Sequence, residues 1–263
     1  MSEPALIDSH CHLNYDYAPK TAADLIREAN EIGVTHLITV GTEVASISAV
    51  VQISEAHPCV FHSVGVHPHD AAQMSDDDLK TIEKSASHPK CRAVGEIGLD
   101  YHYDHSPRDI QIRRVNEQLE LAIFVKQPVI IHSRDAEPDL LKCLQSYSKK
   151  IPAGHPAGVI HCFTGTEPFA KACIEMDFYI SFSGILTFKT AEDLREIAKK
   201  LPLNRLLVET DSPYLAPIPM RGKKCEPSMV RFTAQKLAEI RGVPFPDLAK
   251  ATTENSKTLF RLK

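Results

Sequence analysis

The sequence lacks the long apolar runs that membrane-spanning helices need. It contains no stretch of 18 consecutive apolar residues, and its first eight residues have neither the basic nor the apolar segment of a signal peptide. Its seven cysteines are scattered, odd in number and free of any C-x-x-C pair, which fits neither a disulfide framework nor a zinc finger. We therefore expect a reduced, cytoplasmic protein without a membrane span.

An excess of positive charge is also missing, because 30 Lys and Arg face 34 Asp and Glu for a formal net charge of −4. A protein that clamps long nucleic acids needs clustered Lys and Arg against the phosphates, so any phosphate recognition here must be local. The motifs G-x-G-x-x-G, G-x-x-x-x-G-K-[ST] and G-x-S-x-G do not occur. Their absence removes the signatures of dinucleotide binding, P-loop chemistry and the serine nucleophile elbow.

Short β-branched runs alternate along the chain with amphipathic stretches, which predicts βα units around a parallel sheet. With 43% hydrophobic and 24% charged residues, the chain has the composition of a globular protein with a sizeable core. The predicted strands are 6–8, 36–40, 60–66, 93–97, 128–132, 158–161, 178–183 and 205–209. The predicted helices are 21–32, 44–56, 76–87, 107–125, 137–148, 167–176, 191–200 and 229–241, with a terminal helix at 246–260.

Eight strands and eight helices in 263 residues give about 33 residues per unit, near the roughly 30 of a βαβ repeat. Length alone would allow one or two domains, but no internal repeat, low-complexity tract or linker divides the chain. We predict an α/β fold in which residues 1–263 form a single (β/α)₈ TIM barrel. In the fourth helix, Ser106 is expected to cap the start, with Pro107 in the first helical position.

Metal-binding residue types close several of these predicted strands. In a (β/α)₈ barrel the carboxyl ends of the strands form the active-site face, so these side chains should meet there. Most histidines bind no metal, yet several buried imidazoles and carboxylates at one rim would be costly unless something neutralised them. The six candidates are His10, His12, Glu96, His132, His161 and Asp211.

Six nitrogen and oxygen ligands exceed what one tetrahedral ion takes, so we predict two divalent ions, with Zn, Mg, Mn, Ni and Fe all open. Residues two apart on a strand point the same way, so His10 and His12 can face one ion. Asp211 would bind that ion too, and Glu96 would bridge it to a second ion. The second ion would be held by His132 and His161.

Two such ions, about 3.5 to 4 Å apart, can polarise an ester and lower the pKa of a bridging water. The predicted reaction is hydrolysis, with Glu96 and Asp211 as catalytic residues and Asp211 as the proton acceptor. Two divalent ions against Glu96, Asp211 and a hydroxide leave a slight positive excess that would attract an anionic ester. Cys11 and Cys162 adjoin candidate ligands, but strand alternation should turn both thiols away.

Further residues could contact substrate or orient the ligands. His67 and Arg134 are candidate substrate contacts, although Arg134 could instead pair with Asp135. Arg221 lies in the Pro-rich loop after the last strand, where it could contact substrate or simply be solvated. Three acidic residues, which could orient the ligands or cap turns, are Asp8, Asp100 and Glu209.

Seven segments, taken together and in order, resemble the TatD-like metal-dependent hydrolases of the amidohydrolase-type barrels. They are 8–12 (DSHCH), 63–69 (SVGVHPH), 95–101 (GEIGLDY), 127–136 (QPVIIHSRDA), 160–163 (IHCF), 209–215 (ETDSPYL) and 253–255 (TEN). The resemblance implies a deformed (β/α)₈ barrel, two divalent ions, and a DNase or related phosphoesterase activity of 3′ to 5′ exonuclease or endonuclease type. It assigns the same six metal ligands and points to the branch that keeps the complete His-x-His.

One stretch departs from the family pattern: Lys224 and Cys225 stand where the family usually has Arg and Asn. Our leading hypothesis is a two-metal phosphodiesterase that engages a DNA strand end. Hydrolysis of an amide, lactone or aminoacyl ester is the alternative, since the same hydroxide attacks carbonyls. A metal-holding or DNA-binding scaffold is a third. The sequence leaves open the metal, DNA against RNA, endo against exo cleavage, and the oligomeric state, a monomer included.

Overall fold

The computed structural model describes residues 4–152 and 154–263. Residues 1–3 and 153 of the predicted domain lie outside the described part. Eight strands pair in parallel in chain order, each with the next. They are β1 (Leu6–Cys11), β2 (Val34–Val40), β3 (Val60–Val64), β4 (Cys91–Asp100), β5 (Val129–Arg134), β6 (Gly158–Ile160), β7 (Phe178–Phe182) and β8 (Leu206–Val208).

Helices fill the connections, as predicted. They are α1 (Ala22–Glu31), α2 (Ile47–Ala56), α3 (Asp76–Ala86), α4 (Arg108–Val125), α5 (Glu137–Ser148), α6 (Glu167–Glu175), α7 (Glu192–Lys200), α8 (Val230–Arg241) and the terminal α9 (Phe245–Phe260). Thr21 and Ser75 form capping boxes that start α1 and α3. None of these helices within the described residues is long and apolar enough to cross a membrane.

Two local predictions were wrong. The fourth strand does not end at residue 97, because β4 continues to pair with β5 as far as Asp100 and Arg134, past a register shift between Val94 and Ile97. Ser106 does not cap α4, since Pro107 occupies the cap position without a side-chain bond. The Ser106 hydroxyl instead donates to the His69 carbonyl (2.8 Å) and accepts from the Ala72 N–H (3.0 Å).

Alternating strand residues build two apolar layers. One set packs between the strands and the surrounding helices, for example Leu6, Leu37 and Val129. Their strand neighbours Ile7, Ile38 and Ile130 form an inner cluster together with residues of β6, β7 and β8. Leu259 and Phe260 of α9 join this inner cluster, so α9 covers the amino-terminal end of the barrel. The carboxyl-terminal end is left for polar side chains.

The barrel closes through the segment that follows β8. The Asp211 N–H donates to the His10 carbonyl, and the His12 N–H donates to the Ser212 carbonyl, both at 2.9 Å. Asp8 accepts from the Thr210 N–H at 2.9 Å and from the Thr210 hydroxyl at 2.6 Å. These contacts join β1 to the residues after β8, 202 positions away in sequence. Closure therefore sets the position of Asp211 against the two first-strand histidines.

Candidate metal centre

A cavity of about 480 Å³ opens at the carboxyl-terminal end of the strands. Its lining includes five of the six predicted ligands, and the sixth, His10, is fully buried beside them. The five are His12, Glu96, His132, His161 and Asp211. The structure thus brings together residues that the sequence separates by up to 201 positions, from His10 to Asp211.

Glu96 lies at the centre, and its two carboxylate oxygens face different partners. Oε2 is 3.4 Å from His10 Nε2. Oε1 is 2.8 Å from His161 Nε2 and 3.1 Å from His132 Nδ1. The two oxygens of Glu96 therefore face two separate groups of candidate ligands.

The group on the Oε2 side consists of His10, His12 and Asp211. The Nε2 atoms of the two histidines are 3.2 Å apart. Asp211 Oδ1 lies 3.5 Å from His12 Nε2 and 3.7 Å from His10 Nε2. Asp211 has a left-handed backbone, with φ of 55°, a conformation that aspartate tolerates better than most residues.

Three of the histidine rings are anchored through the nitrogen that faces away from the centre. His12 Nδ1 lies 3.1 Å from the Val40 carbonyl oxygen. His132 Nε2 lies 2.9 Å from Asp100 Oδ2, and His161 Nδ1 lies 3.3 Å from Glu209 Oε1. Each anchor only accepts hydrogen bonds, so the anchored nitrogen carries a proton and the other nitrogen, which faces the centre, is the one that can bind a cation. His132 is the exception in orientation, since its inward nitrogen is Nδ1.

The donor set fits divalent cations. The inward nitrogens of His132 and His161 face Glu96, and that of His12 faces Asp211. Buried carboxylates of this kind need positive charge close by. Ligand atoms of His10, His12 and Glu96 all lie within 4.8 Å of one another, as do those of His10, His161 and Glu209. Imidazole nitrogens with carboxylate oxygens and no thiolate suit Zn, Mn, Fe, Ni or Mg.

The surroundings keep the central carboxylates ionised. Burial by itself would raise the pKa of Glu96, but the imidazoles of His161 and His67 bring that pKa well below its usual value. Burial likewise opposes ionisation of Asp211, and the bond to His12 and the nearby His10 lower its pKa overall. Conversely, the acidic neighbours raise the pKa of His161 against the effect of burial. The centre therefore attracts positive charge.

Comparison with known proteins agrees with this geometry. Residues 7–261 match the family described as TatD related DNase. The chain belongs to this family. It is similar to YabD of Bacillus subtilis, described as an uncharacterized metal-dependent hydrolase, with 40% identity over 257 residues that cover 98% of this chain and 99% of that protein.

Two further proteins are informative. The 3′-5′ ssDNA/RNA exonuclease TatD of Erwinia tasmaniensis is 32% identical over 263 residues, covering 98% of this chain and all 100% of that protein. The crystal structure of YJJV, a TatD homologue from Escherichia coli, superposes with a TM-score of 0.89 at 30% identity, covering 98% of both chains. The predicted family and the predicted TIM-barrel fold are confirmed. This TatD-family chain is a metal-dependent hydrolase.

The three acidic residues predicted beside the ligands have different surroundings. Asp100 and Glu209 touch the rings of His132 and His161, as described above. Asp100 is held by the N–H groups of His102 and Tyr103 at 3.0 and 2.9 Å. Asp8 touches no ligand ring and instead accepts from Thr210, and burial raises the pKa of Asp8 to about 8. Asp8 can therefore affect the centre only indirectly, by holding Thr210 and with it the neighbouring residue Asp211.

The three predicted substrate contacts also differ. His67 lines the cavity, with Nε2 at 3.3 Å from Glu96 Oε1. Arg134 is exposed at the cavity rim, with its guanidinium 5.8 Å from the centre of the Tyr103 ring. Within the described residues it makes no ion pair with Asp135, whose carboxylate pairs with His102 at 3.0 Å. Arg221 packs 3.9 Å above the Phe188 ring and is not among the residues that line the cavity.

The residues that depart from the TatD pattern serve the loop itself. Lys224 donates to the Asp16 carbonyl at 2.7 Å. Cys225 is fully buried in a small apolar cluster with Ala216 and Met229. A buried thiol suits this packing, and Cys225 is not among the residues that line the cavity.

The expectation for Cys162 was wrong, whereas Cys11 turns away as predicted and points its thiol at the Ile38 carbonyl (3.4 Å). Cys162 lines the cavity because β6 ends at Ile160 and Cys162 has a left-handed φ of 43°, so strand alternation does not apply to it. Burial and neighbouring carboxylates raise the pKa of the Cys162 thiol well above its usual value. The protonated thiol is a poor nucleophile.

Sequence reasoning missed four aromatic side chains of the cavity. The sequence feature that could have identified them is their position, since each lies a few residues beyond the polar end of a strand. Tyr103 and Tyr214 are 54% exposed, and Tyr15 stacks on His12 with the ring centres 4.7 Å apart. The four residues are Tyr15, Tyr103, His105 and Tyr214.

Proposed function

We propose that this chain is a phosphodiesterase that uses two divalent ions and removes nucleotides from the 3′ end of single-stranded DNA. The observation that carries the proposal is the Glu96 carboxylate, whose Oε2 faces the His10 side and whose Oε1 faces the His132 and His161 side. A related protein from Erwinia tasmaniensis bears the name of a 3′-5′ ssDNA/RNA exonuclease. His10, His12 and Asp211 would hold one ion, His132 and His161 the other, and Glu96 both.

Divalent ions at this centre would polarise the phosphoryl group and lower the pKa of an attacking water. The residues of the chain supply the proton handling. Asp211 is ionised, because its interactions with His12 and His10 lower its pKa. Its carboxylate lines the cavity, so it can take the proton of the attacking water and return it to the leaving oxygen.

The cavity mouth suits the end of a flexible strand. Tyr103 and Tyr214 offer exposed ring faces there, and unpaired bases stack on aromatic rings. Arg134 offers a planar guanidinium at the same rim, which fits a phosphate. A net charge of −4 does not favour binding of a long duplex.

The slight positive excess expected from the sequence stays a prediction, and its charge count is incomplete. That count omitted two buried carboxyl groups, those of Asp100 and Glu209, which touch the rings of His132 and His161. Attraction for phosphate would therefore come from the bound ions and from Arg134, which would be closer to the phosphate than the carboxylates of Asp100 and Glu209, because Coulomb attraction is strongest at short distance.

The proposal predicts that Glu96→Gln and Asp211→Asn each reduce nucleotide release from a 3′-labelled single strand by at least about 10³-fold, since each removes a charge from the centre. Release would be measured with Mg²⁺, Mn²⁺ and Zn²⁺ in turn, and a chelator should abolish it. Asp135→Asn is the matched control, because Asp135 is exposed, pairs with His102 and is not among the residues that line the cavity. Activity that persists in Glu96→Gln would refute the assignment.

A substrate panel separates the proposal from the alternative hydrolase. Phosphodiesters, carboxyl esters and lactones would be compared with the same three ions, and single strands with duplexes at several salt concentrations. Preference for single-stranded ends and a shallow salt dependence are the expected results. Faster turnover of a carboxyl ester would favour the alternative, and tight, steeply salt-dependent binding of long duplex would contradict the strand-end mode.

A further inference from the structure

The motif His67-Pro68-His69 lies at the centre but is not needed for the predicted ligand set. His67 precedes a 3₁₀ turn, Pro68–Asp70, and its Nδ1 accepts the His69 N–H at 3.2 Å. Pro68 in the first position of the turn has no N–H, so the first free donor of the turn is that of His69. The local sequence therefore directs the His69 N–H onto the His67 ring.

This bond fixes the proton of His67 on the other nitrogen. A neutral imidazole has one N–H, and a nitrogen that accepts a hydrogen bond cannot carry it. Nε2 therefore bears the proton, and it lies 3.3 Å from Glu96 Oε1. His12 and His161 differ from His67: their outer Nδ1 atoms face acceptors and carry a proton, so their inward Nε2 atoms are the ones that can bind a cation.

The distinction decides between two roles for His67. Ligand atoms of His67, Glu96 and His132 lie within 4.8 Å of one another, close enough for a metal site. For His67 to bind a metal through Nε2, the proton would have to move to Nδ1, where it would point at the His69 N–H. Two donors 3.2 Å apart in a nearly buried place would leave both without an acceptor.

We propose that His67 is not a metal ligand and that its Nε2–H, which faces Glu96 Oε1 in this structure, donates a hydrogen bond to a non-bridging oxygen of the phosphate when substrate binds. His67 lines the cavity and is only 9% exposed. A fixed donor in a water-poor site stabilises negative charge that develops on phosphate oxygens during reaction. The choice of phosphate as acceptor rests on the proposed function, whereas the position of the proton rests on the His69 bond alone.

The protonation state can be measured without substrate. In Zn²⁺-loaded protein labelled with ¹⁵N-histidine, the His67 signals are assigned by their loss in His67→Gln. We expect Nε2 to be the protonated nitrogen and Nδ1 the unprotonated one. A metal-bound signal from either His67 nitrogen, or the reversed tautomer, would overturn the proposal.

Metal content gives a second readout. His67→Ala and His67→Gln should retain the Zn²⁺ stoichiometry of the wild-type protein after desalting, whereas His132→Ala should lose part of it. Loss from His67→Ala equal to that from His132→Ala would make His67 a ligand and end the proposal.

Kinetics on a single-stranded phosphodiester test the role of the donor. His67→Ala should lower kcat by about 10²-fold, the usual effect of removing one such donor. His67→Gln, whose amide N–H can occupy the place of Nε2, should recover at least tenfold of that loss. His102→Ala, at an exposed ring outside the cavity lining, is the control and should keep wild-type kcat.

The outcomes separate this inference from the proposed function. An unchanged kcat in His67→Ala with full metal content would refute the donor role while leaving the phosphodiesterase intact. Wild-type protein with no activity on any phosphodiester would refute the phosphodiesterase and, with it, phosphate as the acceptor, whereas the tautomer measured by NMR would still decide whether His67 binds metal.

Discussion

At the scale of single residues, the acceptors that contact the outer ring nitrogens set the orientation of the candidate histidine ligands. Glu209 is fully buried and accepts from the Cys162 N–H at 2.7 Å as well as facing His161 Nδ1. This double contact fixes the orientation of the His161 ring, so that Nε2 faces the centre. Acidic partners of this kind also raise the basicity of the ligand nitrogen.

We expect Glu209→Gln to lower Zn²⁺ affinity by about 10- to 100-fold, because the neutral amide holds the His161 N–H less strongly. Competition with a chromophoric chelator would measure the affinity. Asp135→Asn, at an exposed position, should leave it unchanged. Equal affinities for Glu209→Gln and the wild-type protein would show that Glu209 has no orienting role.

A second residue-scale prediction concerns His62, which is fully buried on β3 with Nδ1 2.8 Å from the Ser54 hydroxyl. Burial, with His88 and Lys90 nearby, lowers the pKa of His62 from 6.5 to about 3. The unfolded chain therefore takes up this proton at a higher pH than the folded chain. The resulting stability is fully present above pH 6.5 and is lost as the pH falls toward about 3.

His62→Gln should remove this contribution. Between pH 7 and pH 4.5, the free energy of unfolding should fall by about 2 to 3 kcal/mol less in His62→Gln than in the wild-type protein. Urea unfolding at the two pH values measures the difference, and His102→Gln, at an exposed ring, is the control. The same acid loss in His62→Gln and wild type would contradict the prediction.

At the scale of elements, β4 determines the centre. It carries Glu96 at a register shift and then continues beside β5, where Gly98 pairs with His132. Gly98 has a φ of +151°, and a Cβ there would lie 2.0 Å from the His132 carbonyl oxygen. Only glycine lets the two strands approach this closely where each carries a candidate ligand.

Gly98→Ala should therefore lower the free energy of unfolding by at least about 3 kcal/mol, from strained backbone and overpacking together. It should also weaken Zn²⁺ binding, because the shifted backbone carries His132. Gly222 also has a positive φ, +85°, but a Cβ added there would have no atom within 4 Å. Gly222→Ala should therefore lower the free energy of unfolding by only about 1 kcal/mol. Urea unfolding would compare the two, and similar losses would argue against the clash.

At the scale of the whole molecule, barrel closure assembles the centre. Asp8 in β1 receives two hydrogen bonds from Thr210, and the next residue, Asp211, donates its N–H to His10. The Thr210 hydroxyl also accepts the Ser212 N–H at 3.2 Å. This network fixes the loop after β8 against the first strand.

Thr210→Val keeps the shape of the side chain but removes its hydroxyl. It should cost about 1 to 3 kcal/mol in unfolding free energy, because buried Asp8 and the Ser212 N–H each lose a partner. Thr210→Ser should retain most of the stability. Thermal unfolding compares them, and a Thr210→Val protein as stable as Thr210→Ser would show that the hydroxyl does not support closure.

The sequence by itself determined the order and kind of the elements, because the alternation of apolar runs and amphipathic stretches follows the pleat of a strand and the turn of a helix. It also predicted that the six candidate ligands lie at one face, since the carboxyl ends of the strands in a parallel barrel share a rim. It misplaced the end of β4 and the Cys162 side chain, because pairing with β5 and a left-handed backbone override local alternation.

Only the tertiary structure decided what each polar group faces. Glu96 between two groups of histidines, Asp8 against Thr210 and the tyrosines at the cavity mouth all depend on contacts between distant segments, and these exist only once the barrel has closed. The same holds for the protons, because the ring nitrogen of a histidine that carries the proton depends on the partner of its outward nitrogen. That partner is a carbonyl or carboxylate for His12, His132 and His161, and a backbone N–H for His67.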